Sequence, residues 1–247
     1  MFDTDTFNAA LFFPRDDVTP PPADAVDLEI PGDVPLHLRW HGPDGLPTLL
    51  LFHGNGEVVA DYDDAAPMFA AAGARLAVVD YRGYGKSAGT PTLRTAIADA
   101  TRTLATMLAV AGPPIIVMGR SLGSACANEL YGAMPDGVVA FVLESGFVDL
   151  AGLVRRRGME APVQLAPADL ATFDPAPKLA RGTRPLLVLH GADDALIPAR
   201  EAEAAFAAAG TRDKELVLIP DRGHNDVMAS RLYWDALRGF LAGFSQR

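Results

Sequence analysis

Near the middle of the chain, Gly119-Arg120-Ser121-Leu122-Gly123 carries the sharpest chemical signal. It forms a G-x-S-x-G pattern between an apolar run, Ile115 to Met118, and a helical stretch, Leu122 to Met134. A serine on such a strand-to-helix turn adopts strained backbone angles. Small residues two before and two after it let strand and helix approach. The helix N-terminus then points free N–H groups at negative charge developing beside Ser121. That is the equipment of a nucleophile in acyl transfer.

A serine hydroxyl is a weak nucleophile and needs a base, itself oriented by an acid. Of the five histidines, His224 follows the last apolar run by a few residues, in Arg222-Gly223-His224-Asn225-Asp226, on a loop able to fold over a sheet edge. His53 and His190 each precede a glycine at the end of a run, whereas His37 and His41 are expected as surface or packing residues. The acid is expected just after Leu186 to Leu189, where His190-Gly191-Ala192-Asp193-Asp194 offers two adjacent aspartates. Glu144, closing the run that starts at Val138, is a rival. Two backbone N–H groups would complete an oxyanion hole. One belongs to Leu122, after the serine, and the other to Asn55 in the glycine-flanked His53-Gly54-Asn55-Gly56-Glu57.

These residues need a scaffold, and the apolar pattern supplies one. Pro47 to Phe52, Leu76 to Val79, Ile115 to Met118, Val138 to Leu143, Pro185 to Leu189 and Leu216 to Ile219 are short continuous apolar runs. Such runs suit strands of a parallel sheet covered on both faces. Helical spacing lies between them. Thr90-Pro91 is placed to start a helix whose stripe is Leu93, Ile97, Ala100, Leu104 and Leu108. Ala202 to Ala209 ends at Gly210, and a last helix spans roughly Val227 to Phe244. Alternating strands and helices predict a single α/β domain over residues 1–247, doubly wound with right-handed crossovers. Residues 1–25, rich in Pro and Asp, are expected as an arm lying on it. Residues 145–184 have little strand character and are expected to form a small lid with one or two short helices. Its large apolar residues, Leu153, Met159, Leu165 and Phe173, are scattered, which favours a small or medium acyl group over a long lipid chain.

Composition narrows the partners. Of 247 residues, 49% are hydrophobic and 21% charged, and the net charge is −10, which disfavours a nucleic-acid or anionic-membrane surface. The acidic start Met1-Phe2-Asp3-Thr4-Asp5 and the shortness of the apolar runs predict a cytoplasmic protein without membrane insertion. The lone Cys126 permits no internal disulfide, and five residues past Ser121 it is expected in the core. No histidine spacing suggests a metal site.

With FHGN, DYRGYGKSAGTP, GRSLGS and HGADDALIP in place, the sequence resembles the α/β-hydrolase superfamily, above all its BEM46-like group, from about Phe52 onward. The resemblance implies an eight-stranded, mostly parallel sheet, a triad at the carboxyl ends of its strands, and no cofactor. It assigns the acid to Asp194, three residues after Gly191, and leaves Asp193 to a turn. The order Ser121, Asp194, His224 is the one the fold expects. The segment Asp80 to Ser87 matches a structural loop at the rim of the site. Three carboxylates, Glu57, Glu129 and Glu144, are expected near the elbow, neutralised by Arg82 and Arg120 in a supporting network. The expected activity is a serine hydrolase that cleaves a small-molecule ester of small or medium acyl size through an acyl-enzyme. Peptidase, thioesterase, amidase and lysophospholipase chemistry use the same residues. A non-catalytic ligand-binding relative would be expected to lack one of the three.

Overall fold

Leu49 and Leu51 point to one side of their strand and Leu50 and Phe52 to the other, and each pair joins a different hydrophobic core. The same division runs through the neighbouring strands. Val117, Phe141 and Val188 face one core, while Met118, Val142 and Leu189 face the other. The period of two along a strand thus gives continuous apolar runs when both faces are covered. The computed structural model describes Phe2, residues 4–156 and residues 166–244.

The strands are β1 (Ala25–Ile30), β2 (Leu36–His41), β3 (Thr48–Phe52), β4 (Arg75–Val79), β5 (Ile115–Arg120), β6 (Val138–Glu144), β7 (Leu186–Gly191) and β8 (Lys214–Ile219). They form one sheet in the order β1-β2-β4-β3-β5-β6-β7-β8. The β1–β2 and β2–β4 pairs are antiparallel, and all pairs among β3 to β8 are parallel. The helices are α1 (Asp5–Leu11), α2 (Ala66–Ala72), α3 (Leu93–Ala111), α4 (Ser124–Ala133), α5 (Leu150–Arg156), α6 (Pro167–Phe173), α7 (Pro175–Arg181), α8 (Arg200–Ala208) and α9 (Arg231–Ala242). Residues of α3, α4 and α8 cover one face, and residues of α2 and α9 cover the other. Among the described residues no helix is long and apolar enough to cross a membrane.

Several boundaries shift for local reasons. Thr92, not Thr90, caps α3: its hydroxyl accepts the N–H of Thr95, and Pro91 stays outside the helix. A 3-10 turn over Ser121–Gly123 precedes α4, and another over Val227–Ala229 precedes α9, which Ser230 caps. Two strands, β1 and β2, have no apolar run. Their cohesion comes partly from Arg39, fully buried, which donates to Asp27, Asp63 and the Thr19 carbonyl.

Residues 1–25 contain α1, and Phe2, Phe7, Leu11 and Phe12 are buried in the main core. Asn8 Oδ1 accepts the N–H of Leu93 at 2.9 Å, so this segment also caps α3. Within residues 145–184, α7 packs along α4, and Leu153 and Phe173 are buried. Met1, Asp3, Met159 and Leu165 lie outside the described residues.

The register brings the strand ends level. Phe52 pairs with Gly119, Gly119 with Leu143, and Arg120 with Glu144, which in turn faces Leu189. Loops leaving β3, β5, β6, β7 and β8 therefore gather at one edge of the sheet, where open α/β sheets place their ligands.

Candidate active site

Ser121 stands at this edge with a φ of 50°, in the left-handed region that side chains other than glycine rarely occupy. Close packing explains the two flanking glycines. A Cβ on Gly119 would come within 2.6 Å of the Gly123 carbonyl oxygen and 2.7 Å of Ala127 Cβ, and one on Gly123 would overlap the Phe52 carbonyl. Ser124 Oγ donates to the Ser121 carbonyl at 2.7 Å and braces the turn.

Ser121 Oγ lies 2.8 Å from His224 Nε2, and His224 Nδ1 lies 2.7 Å from Asp194 Oδ2. With a carboxylate at Nδ1, the tautomer protonated there leaves Nε2 to accept from the serine hydroxyl. Asp194 is held from three sides. Its Oδ1 accepts the N–H groups of Leu196 and Ile197, each at 2.8 Å, and its Oδ2 lies 3.3 Å from His190 Nε2. Burial by itself would raise the Asp194 carboxyl. The hydrogen bonds from His190, His224 and the Ile197 amide outweigh it and hold the group ionised, below the usual carboxylate range. Asp193 is exposed, and its N–H donates to the Arg222 carbonyl at 2.9 Å. His190 Nε2 donates to the Ile197 carbonyl at 2.7 Å, a supporting role that its position before a glycine did not reveal.

On the opposite side of Ser121, the β3 loop is tied down by its side chains. Asn55 Oδ1 accepts from the Phe13 N–H at 2.9 Å and the Tyr84 hydroxyl at 2.7 Å, and Asn55 Nδ2 donates to the Leu11 carbonyl. Gly54 N–H donates to Glu57 Oε2 at 2.7 Å. Leu122, which follows the serine, is buried. Asp80 opens the rim loop. Burial would raise its carboxyl, but His37 at 2.7 Å and the nearby His53 lower it to about 2. His37, His41 and His53 are all buried packing residues.

The supporting network expected around the elbow forms in part. Arg120 Nη1 pairs with Glu57, its Nε lies 3.0 Å from Glu144 Oε1, and its Nη2 donates to Asn225 Oδ1 at 3.0 Å. The Glu144 contact is an ion pair whose angle falls outside hydrogen-bond geometry. Two tyrosines, without any motif to mark them, complete the group: Tyr62 donates to Glu57 at 2.7 Å and Tyr233 to Glu144 at 2.6 Å. Full burial pushes the Glu144 carboxyl up, against the pull of Arg120 and Tyr233. With Arg120 and Tyr233 as its polar contacts, Glu144 does not touch His224 Nδ1, which Asp194 occupies.

Two expected members lie elsewhere. Arg82 grips Asp99 of α3 at 2.7 and 2.9 Å and Asp33 at 3.0 Å, because β4 is two strands removed from β5 in the sheet. Glu129 is half-buried and meets Lys178 of α7 at 2.6 Å, since α7, not the elbow, covers that side of α4.

A family model described as "Serine aminopeptidase, S33" matches residues 46–167. Protein bem46 of Schizosaccharomyces pombe is 28% identical over 214 residues, spanning 84% of this chain and 71% of that protein. An uncharacterised protein of Mycobacterium tuberculosis is 31% identical over 200 residues, spanning 79% of this chain and 69% of that one. The structure of the esterase Pf2001 from Pyrococcus furiosus superposes with a TM-score of 0.77 at 18% identity, covering 95% of this chain and 98% of its own. Sheet order, strand-end geometry and these similarities agree: the chain belongs to the α/β-hydrolase superfamily and resembles its BEM46-like members.

Proposed function

We propose that the protein is a serine hydrolase that cleaves a carboxylic ester of small or medium acyl size through an acyl-enzyme. The observation that carries this is the unbroken contact chain from Ser121 Oγ through His224 to Asp194, at 2.8 and 2.7 Å, on a turn with φ of 50°. In this mechanism Ser121 Oγ attacks the carbonyl carbon as His224 Nε2 takes its proton. Backbone N–H groups of Leu122 and Asn55 receive the oxyanion. His224 returns the proton to the leaving oxygen, and water attacks the acyl-enzyme by the same route in reverse. Asp194 fixes the imidazole tautomer and stabilises its charged form.

Amide cleavage is the second reading, favoured by the family model's aminopeptidase description. Labelling with a fluorophosphonate probe tests the common core. The native protein should label once, at Ser121, and Ser121→Ala should not label. Ethyl esters of graded acyl length set against aminoacyl anilides then separate ester from amide preference. Labelling that persists in Ser121→Ala would overturn the assignment.

A further inference from the structure

Beside Ser121 lies a narrow cleft with about 20 Å³ of free space, walled by Leu122, Phe147, Leu153, Leu196 and Ile197. That is room for one small group, and the wall is apolar except for Arg156 of α5. Arg156 Nη1 donates to Glu201 Oε1 at 2.9 Å. Glu201 is only 2% exposed, and its other oxygen is taken by the N–H groups of Val148 and Asp149, at 2.9 and 2.8 Å. The guanidinium is therefore held at one end by a carboxylate whose other oxygen is occupied by two backbone N–H groups.

The other edge, Nε and Nη2, is buried with no hydrogen-bond partner among the described residues. On guanidinium these two nitrogens point their hydrogens in parallel, matching the two oxygens of a carboxylate. The same chain uses that edge twice in this way. Arg39 Nε and Nη2 donate to Asp27 at 2.7 and 3.2 Å, and Arg82 Nε and Nη2 donate to Asp99 at 2.7 and 2.9 Å. Only Arg156 of these three lines a cleft that also contains the serine, with the unpaired edge closed off from solvent. Buried donors left unmade are costly, so a site that keeps them is suited to a ligand that supplies the acceptor.

We infer that this cleft takes an ester whose acyl group ends in its own carboxylate, gripped side-on by Arg156 while Ser121 attacks the carbonyl. The substrate class is a short dicarboxylic half-ester. The inference rests on the serine-hydrolase reading and adds to it the charge and length of the acyl group. Ser121 and Arg156 line the same narrow cleft, which favours a bridge of a few carbons between the two carbonyl carbons.

Ethyl hydrogen succinate and ethyl 4-methylpentanoate share a carbon outline and differ in charge, so their ratio of kcat/KM isolates the carboxylate. The wild type should favour the half-ester by roughly 10- to 100-fold, the range of a charge-assisted hydrogen bond. Arg156→Met should lose or reverse this preference, and Arg156→Lys, which keeps charge without the fork, should fall between. Fluorophosphonate labelling of Ser121, run on each variant, reports whether the serine is intact. A wild type that labels and cleaves the neutral ester at least as well as the half-ester overturns the carboxylate site and leaves the serine reading standing. If Ser121 neither labels nor turns over either ester, the parent reading fails and this one with it. Should Arg156→Met not fold, the wild-type ratio and the Lys variant still decide.

Discussion

Removing Arg120 is the sharpest perturbation the site offers, because one guanidinium serves three loops. Its partners are Glu57 in the β3 loop, Glu144 at the end of β6 and Asn225 beside His224. Arg120→Met keeps much of the side-chain volume and deletes the charge. It leaves Glu144, fully buried, with Tyr233 as its one remaining polar contact among the described residues, and strips Glu57 of its cation. Breaking a buried pair in this way costs about 3–5 kcal/mol, and at about 2–4 °C per kcal/mol the melting temperature should fall by roughly 6–20 °C. The deficit should depend on pH. In the native protein burial already raises the Glu144 carboxyl above its unfolded value, so its protonation favours the fold as pH falls. Without Arg120 the group rises further. The variant's loss is then complete above that raised folded value and shrinks as pH falls through it. Calorimetric melts at pH 8 and pH 5 should show a wide gap between wild type and variant at pH 8 and a narrower one at pH 5. Adding Glu144→Gln to the variant should recover part of the loss at pH 8. Turnover should drop by roughly 100-fold at temperatures where both remain folded, since small misplacements of a catalytic loop cost about that much. A variant melting within about 2 °C of wild type, or a gap equal at both pH values, would refute the argument.

Replacing the two aspartates separately discriminates between neighbours in sequence. Asp194→Asn should lower kcat by roughly 10⁴-fold, while Asp193→Asn, altered at an exposed turn, should stay within a few-fold of wild type in the same assay. Cys126 is buried and its thiol is pushed up by that burial, so iodoacetamide should leave the folded protein's activity intact and modify the thiol only after unfolding. Modification of the native protein with loss of activity would contradict the packing role.

How much of this was legible depends on what each residue answers to. The central strands β3, β5, β6 and β7 announce themselves because both their faces meet apolar helices, so their runs need no alternation. Strands β1 and β2 do not, since His37, Arg39 and His41 are buried through partners far along the chain, Asp27, Asp63 and Asp80. That burial exists only once the sheet has formed. The serine turn and the histidine loop are local signals, whereas the choice of Asp194 over Asp193 came through family resemblance and is seen in the structure as one side chain facing inward and its neighbour outward. Glu129 was misplaced because the partner that captures it, Lys178, sits in α7, within a stretch expected to be a lid. Arg156 had no signal at all. Its significance lies in two nitrogens that lack a hydrogen-bond partner among the described residues, and a sequence cannot display an absence of contacts.

Arg120 shows how one turn can carry two kinds of work. It is the last residue of β5, and the strand's period of two sends it to the same side as Met118, toward α2 and α9. There it meets Tyr62, Tyr233, Glu57 and Glu144, the polar group packed beneath the strand ends. Burial disfavours its charge, but the carboxylates of Glu57 and Glu144 beside it outweigh that and keep the guanidinium protonated at every accessible pH. Ser121, one residue on, leaves the strand and stands on the opposite, ligand-facing edge. The variable position before the serine in G-x-S-x-G is thus free to hold the loops that flank the serine without entering the reaction. If that is its role, Arg120→Lys should keep most of the stability, through charge, yet lose turnover, because a single ammonium cannot span Glu57, Glu144 and Asn225 together.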